Sequence, residues 1–263
     1  IVLSGKANTS FGYYQGESVP LWSAPPEFYF PTAGLPRAVA VTDMNGDFEP
    51  DIAIAASGSD WSGSALGTYP ARSLGFSNSN STTWTREDVS ATMLETGDFN
   101  GDDVIDLILV NTADESLDFM PSFGQTWNRI ALGFQPGSAV VSDFNKDGFS
   151  DIVVAMSQGP GISILYGSDS FPSGSSELSV TGSITDMALG DYNGDRYMDF
   201  AVSTGEGVIG FYFNTKQTIA FDSLYPIAPS GGAGIWAISS GDFNSDGLDD
   251  IAYTRPIRKI AIL

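Results

Sequence analysis

Along most of the chain, apolar and polar residues alternate with a period of two or give way to short unbroken apolar runs. "AVAVT", "ATMLETG", "AVVS", "DMALG" and "IWAISSG" each lead into a polar turn. "DIAIAAS", "DLILVNT", "DIVVAMS", "DFAVST" and "DIAYT" follow it. A third run often comes next, as in "GISILYG", "GVIGFYF" and "KIAIL". A weaker fourth appears in "TTWTRE", "QTWNRI" and "QTIAFD". Period-two patterning bounded by turn residues predicts β-strands, and no stretch sustains helical spacing. Each unit therefore reads as strand, acidic turn, strand, turn, strand, turn, strand.

The acidic turn recurs five times. The copies are "DMNGDFEPD" at 43–51, "DFNGDDVID" at 98–106, "DFNKDGFSD" at 143–151, "DYNGDRYMD" at 191–199 and "DFNSDGLDD" at 242–250. Every copy obeys D-x-N-x-D-x-x-x-D and is followed by an apolar residue. The spacings of 55, 45, 48 and 51 residues signal a repeat architecture. Four short antiparallel strands per repeat describe a propeller blade. The expected fold is an all-β propeller of four-stranded antiparallel blades in a single domain over residues 1–263. Five blades fit the spacing, with a strand from the N-terminal segment, within "VPLWSAPPEFYF" (Val19 to Phe30), completing the last one. Two alternatives stay open. In one, residues 1–36 form a sixth blade without an acidic turn; in the other, the chain derives from a seven-bladed parent.

Charge changes the picture. There are 32 acidic residues against 11 basic, a formal net charge of −21. A surface of that sign repels nucleic acid phosphates and attracts cations. No run approaches the roughly 18 consecutive apolar residues of a membrane-spanning helix. The chain begins at Ile1 rather than Met, which reads as a removed leader or an excised domain.

Three carboxylates and an amide at alternate turn positions repel one another unless a counter-charge sits among them. A hard dication with 6–8 oxygen ligands meets that need, and calcium tolerates the irregular geometry better than magnesium. Positions 1, 3, 5 and 9 of each turn offer side-chain oxygens, and position 7 offers a backbone carbonyl. The candidate ligands are then Asp43, Asn45, Asp47, Glu49 and Asp51; Asp98, Asn100, Asp102, Val104 and Asp106; Asp143, Asn145, Asp147, Phe149 and Asp151; Asp191, Asn193, Asp195, Tyr197 and Asp199; and Asp242, Asn244, Asp246, Leu248 and Asp250. About five Ca²⁺ ions would move the formal charge to about −11. Position 6 favours the left-handed backbone that glycine adopts freely. Gly148 and Gly247 satisfy it, while Phe48, Asp103 and Arg196 predict weaker or altered sites. Extracellular calcium modules bind at about 10⁻⁴–10⁻³ M, which places the protein outside a cell, secreted or at its surface.

These motifs resemble the FG-GAP and VCBS repeats of integrin α-chain propellers, bacterial surface proteins and a group of fungal lectins. The resemblance runs from about residue 37 onward and implies calcium at the positions just named. It also implies binding, of a glycan first and of an extracellular protein in adhesion as the alternative, and it leaves open a part, catalytic or not, of a polysaccharide-degrading enzyme. The FG and GAP signature words are largely absent, which points to the looser VCBS type.

With no histidine and no cysteine, Ser-His-Asp, Cys-His and His-ligated zinc chemistry are excluded. The spare acids Glu17, Glu27, Asp60, Glu95, Asp114, Glu115, Asp118, Asp186 and Glu206 form no repeated pair of the kind a glycosidase needs. The chain is therefore read as a binding module rather than an enzyme. Aromatics stack on sugar faces, and Trp61 lies in the Gly/Ser-rich "SGSDWSGSALGTYPARS". With Tyr69 and Arg72 it is the candidate ligand contact. Trp84 and Trp127 read as outer-strand packing, and Trp236, inside "IWAISSG", as core.

Overall fold

The computed structural model describes residues 2–4, 10–13, 28–31, 35–44, 46–57, 64–69, 82–86, 91–123, 126–157, 159, 161–180, 182–215, 219–226, 234–255 and 259–262. Among the described residues the elements are strands, apart from a 3₁₀ turn at Pro121–Phe123. In chain order they are β1 (Val2–Ser4), β2 (Ser10–Tyr13), β3 (Phe28–Pro31), β4 (Leu35–Thr42), β5 (Asp51–Ser57), β6 (Ser64–Tyr69), β7 (Thr82–Arg86), β8 (Ala91–Gly97), β9 (Asp106–Asn111), β10 (Ser116–Met120) and β11 (Asn128–Ala131). They continue with β12 (Pro136–Ser142), β13 (Asp151–Met156), β14 (Gly161–Tyr166), β15 (Gly174–Ser179), β16 (Ile184–Gly190), β17 (Asp199–Thr204), β18 (Val208–Asn214), β19 (Ile219–Pro226), β20 (Ala237–Gly241), β21 (Asp250–Arg255) and β22 (Lys259–Ile262).

Four sheets have four strands in meander order: β4–β7, β8–β11, β12–β15 and β16–β19. In each, the acidic turn joins the first two strands. β20–β22 repeats the start of this plan with three strands. Antiparallel neighbours joined by tight turns match propeller blades. The N-terminal segment is described only in part: residues 19–27, most of the stretch expected to complete the last blade, lie outside the described residues. Its strands pair with one another as β1-β2-β3, with Phe11 opposite Phe30 and Gly12 opposite Tyr29. Among the described residues this is a separate three-stranded sheet, and β22 is the last strand of β20–β22. Pairing nearby segments costs less loop-closure entropy than pairing distant ones.

The chain divides into two compact units, Ile1–Thr96 with Asp103–Gly133, and Gly97–Asp102 with Phe134–Leu263. In the first, Met44, Ala53 and Ala55 of one sheet meet Ala91, Leu94, Leu107, Leu109 and Met120 of the next. Trp127 is partly buried against this layer, as read from the sequence. In the second, Val140, Phe144, Val153 and Ile164 pack on Met187, Phe200, Val202 and Tyr212. The opposite face of that latter sheet, Ala188, Ala201 and Ile209, packs on Ile238, Ile251 and Tyr253. β17 shows the logic. Phe200 and Val202 face one neighbour while Ala201 faces the other, so an unbroken apolar run is a strand buried on both faces.

First strands lie side by side within the second unit: β16 is flanked by β12 and β20. Asp186 on β16 accepts a hydrogen bond from Ser138 Oγ at 3.2 Å and from the Ile238 N–H at 3.0 Å, and so ties three sheets together. Trp236 is not core. It precedes β20 and is 66% exposed, with its N–H donating to the Thr254 carbonyl.

Candidate metal centre

The five acidic turns share one backbone conformation. Position 4 is left-handed in every copy, with φ of 75° at Gly46, 74° at Gly101, 59° at Lys146, 78° at Gly194 and 62° at Ser245. Position 6 is left-handed too: 66° at Phe48, 62° at Asp103, 96° at Gly148, 67° at Arg196 and 90° at Gly247. Non-glycine residues at position 6 therefore do not alter the geometry, as the sequence suggested they would. Phe48 holds this conformation while 96% exposed, so nothing packs it into place. The turn's own hydrogen bonds outweigh a left-handed penalty of about 1–2 kcal/mol.

Those bonds repeat as well. The position 1 carboxylate accepts N–H donors through both oxygens. Oδ1 takes them from positions 4 and 5, at 2.8 and 3.1 Å in the fourth turn. Oδ2 takes one from position 6, at 2.7 to 3.0 Å onto Asp43, Asp143, Asp191 and Asp242. The position 3 amide oxygen accepts from the position 5 N–H at 2.8 to 2.9 Å on Asn100, Asn145, Asn193 and Asn244. The position 5 carboxylate accepts from the position 7 N–H at 2.9 to 3.0 Å on Asp47, Asp147, Asp195 and Asp246. Asn45 lies outside the described residues.

Position 9 does something different. Asp51, Asp106, Asp151 and Asp199 are buried. Oδ2 of Asp51, Asp151, Asp199 and Asp250 accepts the position 2 N–H at 3.0 to 3.2 Å. Oδ1 of Asp106, Asp151 and Asp199 accepts an N–H from beyond the third strand or its last residue: Ser122 at 2.7 Å, Gly167 at 2.8 Å and Asn214 at 2.8 Å. The carboxylate thus fastens the turn to two strands. Burial pushes Asp151 and Asp199 up to about 6, against the downward pull of these N–H donors. The sequence motif alone gave position 9 only as a metal ligand.

Backbone N–H dipoles therefore offset much of the repulsion that carboxylate crowding predicts. Among the described residues no three acidic side chains stand in a metal-holding arrangement. The donor chemistry still suits calcium. At positions 1, 3, 5 and 9 each fully described turn presents three carboxylates and an amide, whose oxygens are hard ligands of the kind calcium takes, on a backbone that every copy reproduces. Of the candidate ligand contacts, Trp61 and Arg72 lie outside the described residues. Tyr69 is placed only by its backbone, at the end of β6 opposite Ile52.

A family search matches residues 143–202, and again 191–253, to the FG-GAP-like repeat, and residues 35–69 to the FG-GAP repeat. Together these segments span more than half of the chain. The chain belongs to the FG-GAP repeat family. Each matched segment contains at least one of the acidic turns described above, so the family repeat and the strand-turn-strand unit coincide. No curated protein sequence matches this FG-GAP chain significantly. Solved structures do resemble it. The complex of BBS1N with ARL6DN soaked with lead matches with a TM-score of 0.64 at 12% identity, covering 99% of this chain and 73% of that one. The mercury-soaked complex gives 0.60 at 12% identity, covering 92% and 67%. Sqt1 from Saccharomyces cerevisiae gives 0.58 at 10% identity, covering 85% and 58%. At such identities the likeness is one of fold.

Proposed function

We propose that this FG-GAP protein is a calcium-stabilised, extracellular, non-catalytic binding module built of propeller blades. The observation that carries the reading is the fivefold recurrence of one turn, with the same two left-handed positions and carboxylate or amide side chains at positions 1, 3, 5 and 9. Side-chain oxygens at those positions and the position 7 carbonyl would hold the ion. A bound calcium supplies positive charge to a chain of net −21 and adds binding free energy to the folded state. The residues' own contribution is a turn already shaped by N–H donors, which lowers the ordering cost of binding.

The ligand in this reading is a glycan. Trp236 is 66% exposed, and an indole face suits the C–H face of a sugar. Trp61, Tyr69 and Arg72 remain the other candidate contacts. A protein partner is the second reading, favoured because the similar BBS1N fold is recorded in complex with ARL6DN. A glycan array probed in calcium and again in EDTA tests the first reading. Glycan signals lost in EDTA and weakened in Trp236→Ala support it; a blank array with an intact, calcium-loaded protein overturns it in favour of the second.

A further inference from the structure

Successive acidic turns touch. In the second unit the Ser150 N–H, at position 8 of the third turn, donates to the Asp98 carbonyl, at position 1 of the second, over 2.7 Å. The Asp249 N–H, at position 8 of the fifth turn, donates in the same way to the Asp191 carbonyl of the fourth, over 3.1 Å. Asp249 Oδ2 also accepts the Asp191 N–H at 2.8 Å.

Side chains follow the same rule. Position 7 of one turn covers position 4 of the turn before: a Cβ added at Gly101 would strike the Phe149 ring, and one at Gly194 would meet Leu248 Cδ2 at 3.0 Å. Between the third and fourth turns, Lys146 Nζ at position 4 lies 5.7 Å from the centre of the Tyr197 ring at position 7. The Phe144 carbonyl of the third turn also accepts Asn214 Nδ2 at 2.6 Å. The strand residue before each of two turns is a glycine because the next turn presses on it. A Cβ at Gly97 would meet Ser150 Oγ at 2.7 Å, and one at Gly190 would meet Asp249 Cβ at 2.9 Å.

We infer that turns two to five form a mechanically coupled row, in which ordering one turn by a divalent cation orders its predecessor and makes calcium uptake cooperative between nearest neighbours. The inference rests on the calcium reading above. The connecting atoms belong to the ligand positions themselves. The candidate ligand carbonyl of Phe149 or Leu248 is carried by the same residue whose side chain covers the preceding turn. The Asp98 or Asp191 whose carboxylate would face the ion has its own carbonyl held by the following turn. A backbone fixed at positions 7 and 8 therefore fixes positions 1 and 4 next door. Position 8 of the first turn is Pro50, which has no N–H to donate, so the first turn cannot make this bond to a turn before it.

Calorimetric titration of the full chain with calcium alone tests the coupling. The wild type should take up about five ions with a Hill coefficient above 1. Asp143→Asn with Asp147→Asn disables the middle turn, and should lower the affinity of the remaining sites by at least about fivefold. Asp242→Asn with Asp246→Asn disables the end turn, and should weaken the others less. Ser150→Pro places at position 8 the residue that the first turn already carries there. It should keep the ion count and reduce the Hill coefficient. If circular dichroism shows that variant unfolded, Lys146→Ala, which removes the cation from the Tyr197 ring, serves in its place. A Hill coefficient of 1, with each double substitution merely subtracting one site, overturns the coupling and leaves the calcium reading standing. Absence of any calcium heat overturns the calcium reading itself.

Discussion

The Asp118 carboxylate on β10 receives Arg129 from the facing position of β11, with Nε at 3.0 Å from Oδ1 and Nη2 at 3.2 Å from Oδ2. Asp118 is fully buried, and Asn111 Nδ2 donates to it at 2.8 Å. Arg129 is partly exposed, so its removal lets some water reach the carboxylate. Arg129→Ala should therefore cost about 2 kcal/mol, below the value for a fully enclosed pair. Urea unfolding measures it, and replacement by Lys should recover only part because the fork is lost.

Glu95 on β8 is largely enclosed, and burial pushes its carboxyl up to about 7 from the usual 4.5. The folded state then binds the proton more tightly than the unfolded chain does. Its contribution to stability falls as pH rises from about 4.5 to 7, and the loss is complete above that. Glu95→Gln should match the wild type near pH 4.5 and exceed its stability at pH 8 by on the order of 2–3 kcal/mol. Equal stabilities at pH 8 would show that the carboxylate reaches water there.

The shared turn backbone predicts opposite signs for two substitutions at position 6. Gly148 has φ of 96° and open space around a would-be Cβ, so Gly148→Ala should lose about 1 kcal/mol through conformation alone. Arg196 has φ of 67° and is exposed, so Arg196→Gly should gain about 0.5 kcal/mol once the extra freedom of the unfolded glycine is subtracted. Chemical unfolding in EDTA reads both without interference from metal.

Asp186 joins three neighbouring first strands through Ser138 and Ile238. Asp186→Ala strands the Ile238 N–H and should destabilise by about 1–3 kcal/mol. Asp186→Asn, which keeps an acceptor oxygen, should lose less. Differential scanning calorimetry on the two variants separates the hydrogen bond from the charge.

Removing calcium tests the five turns together. At a hundredfold excess over Kd an independent site adds roughly 2.7 kcal/mol to folding. The melting temperature should drop sharply in EDTA and recover with calcium. An unmoved melting curve would mean that the turns hold themselves through N–H donors alone.

The strands were legible because their apolar faces are two-sided. "DIVVAM" has no polar alternation since Val153 packs on one neighbouring sheet while the strand's other face is also covered. The motif located the turns, but its glycine rule did not foresee that Phe48, Asp103 and Arg196 share the left-handed backbone of Gly148 and Gly247. A dense set of local hydrogen bonds can hold a left-handed residue that propensity disfavours. Trp236 was misplaced because "IWAIS" alternates like a strand, yet pairing starts one residue later, at Ala237. The N-terminal sheet lacks an acidic turn, so nothing in Val2–Pro31 announces its strand boundaries. Position 9 could have been anticipated as a structural group, since a carboxylate that opens a strand covered on both faces needs donors wherever it is buried.

The apolar layers in each unit belong to pairs of sheets: Phe144 reaches across to Phe200, and Ile238 to Ala188. A boundary drawn at the end of any one sheet would thus split a layer and leave half of it wet. Duplication, deletion or grafting in this chain can preserve its interior only when the exchanged piece starts in one sheet and stops at the matching residue of the next, so the unit of inheritance is offset from the unit of architecture.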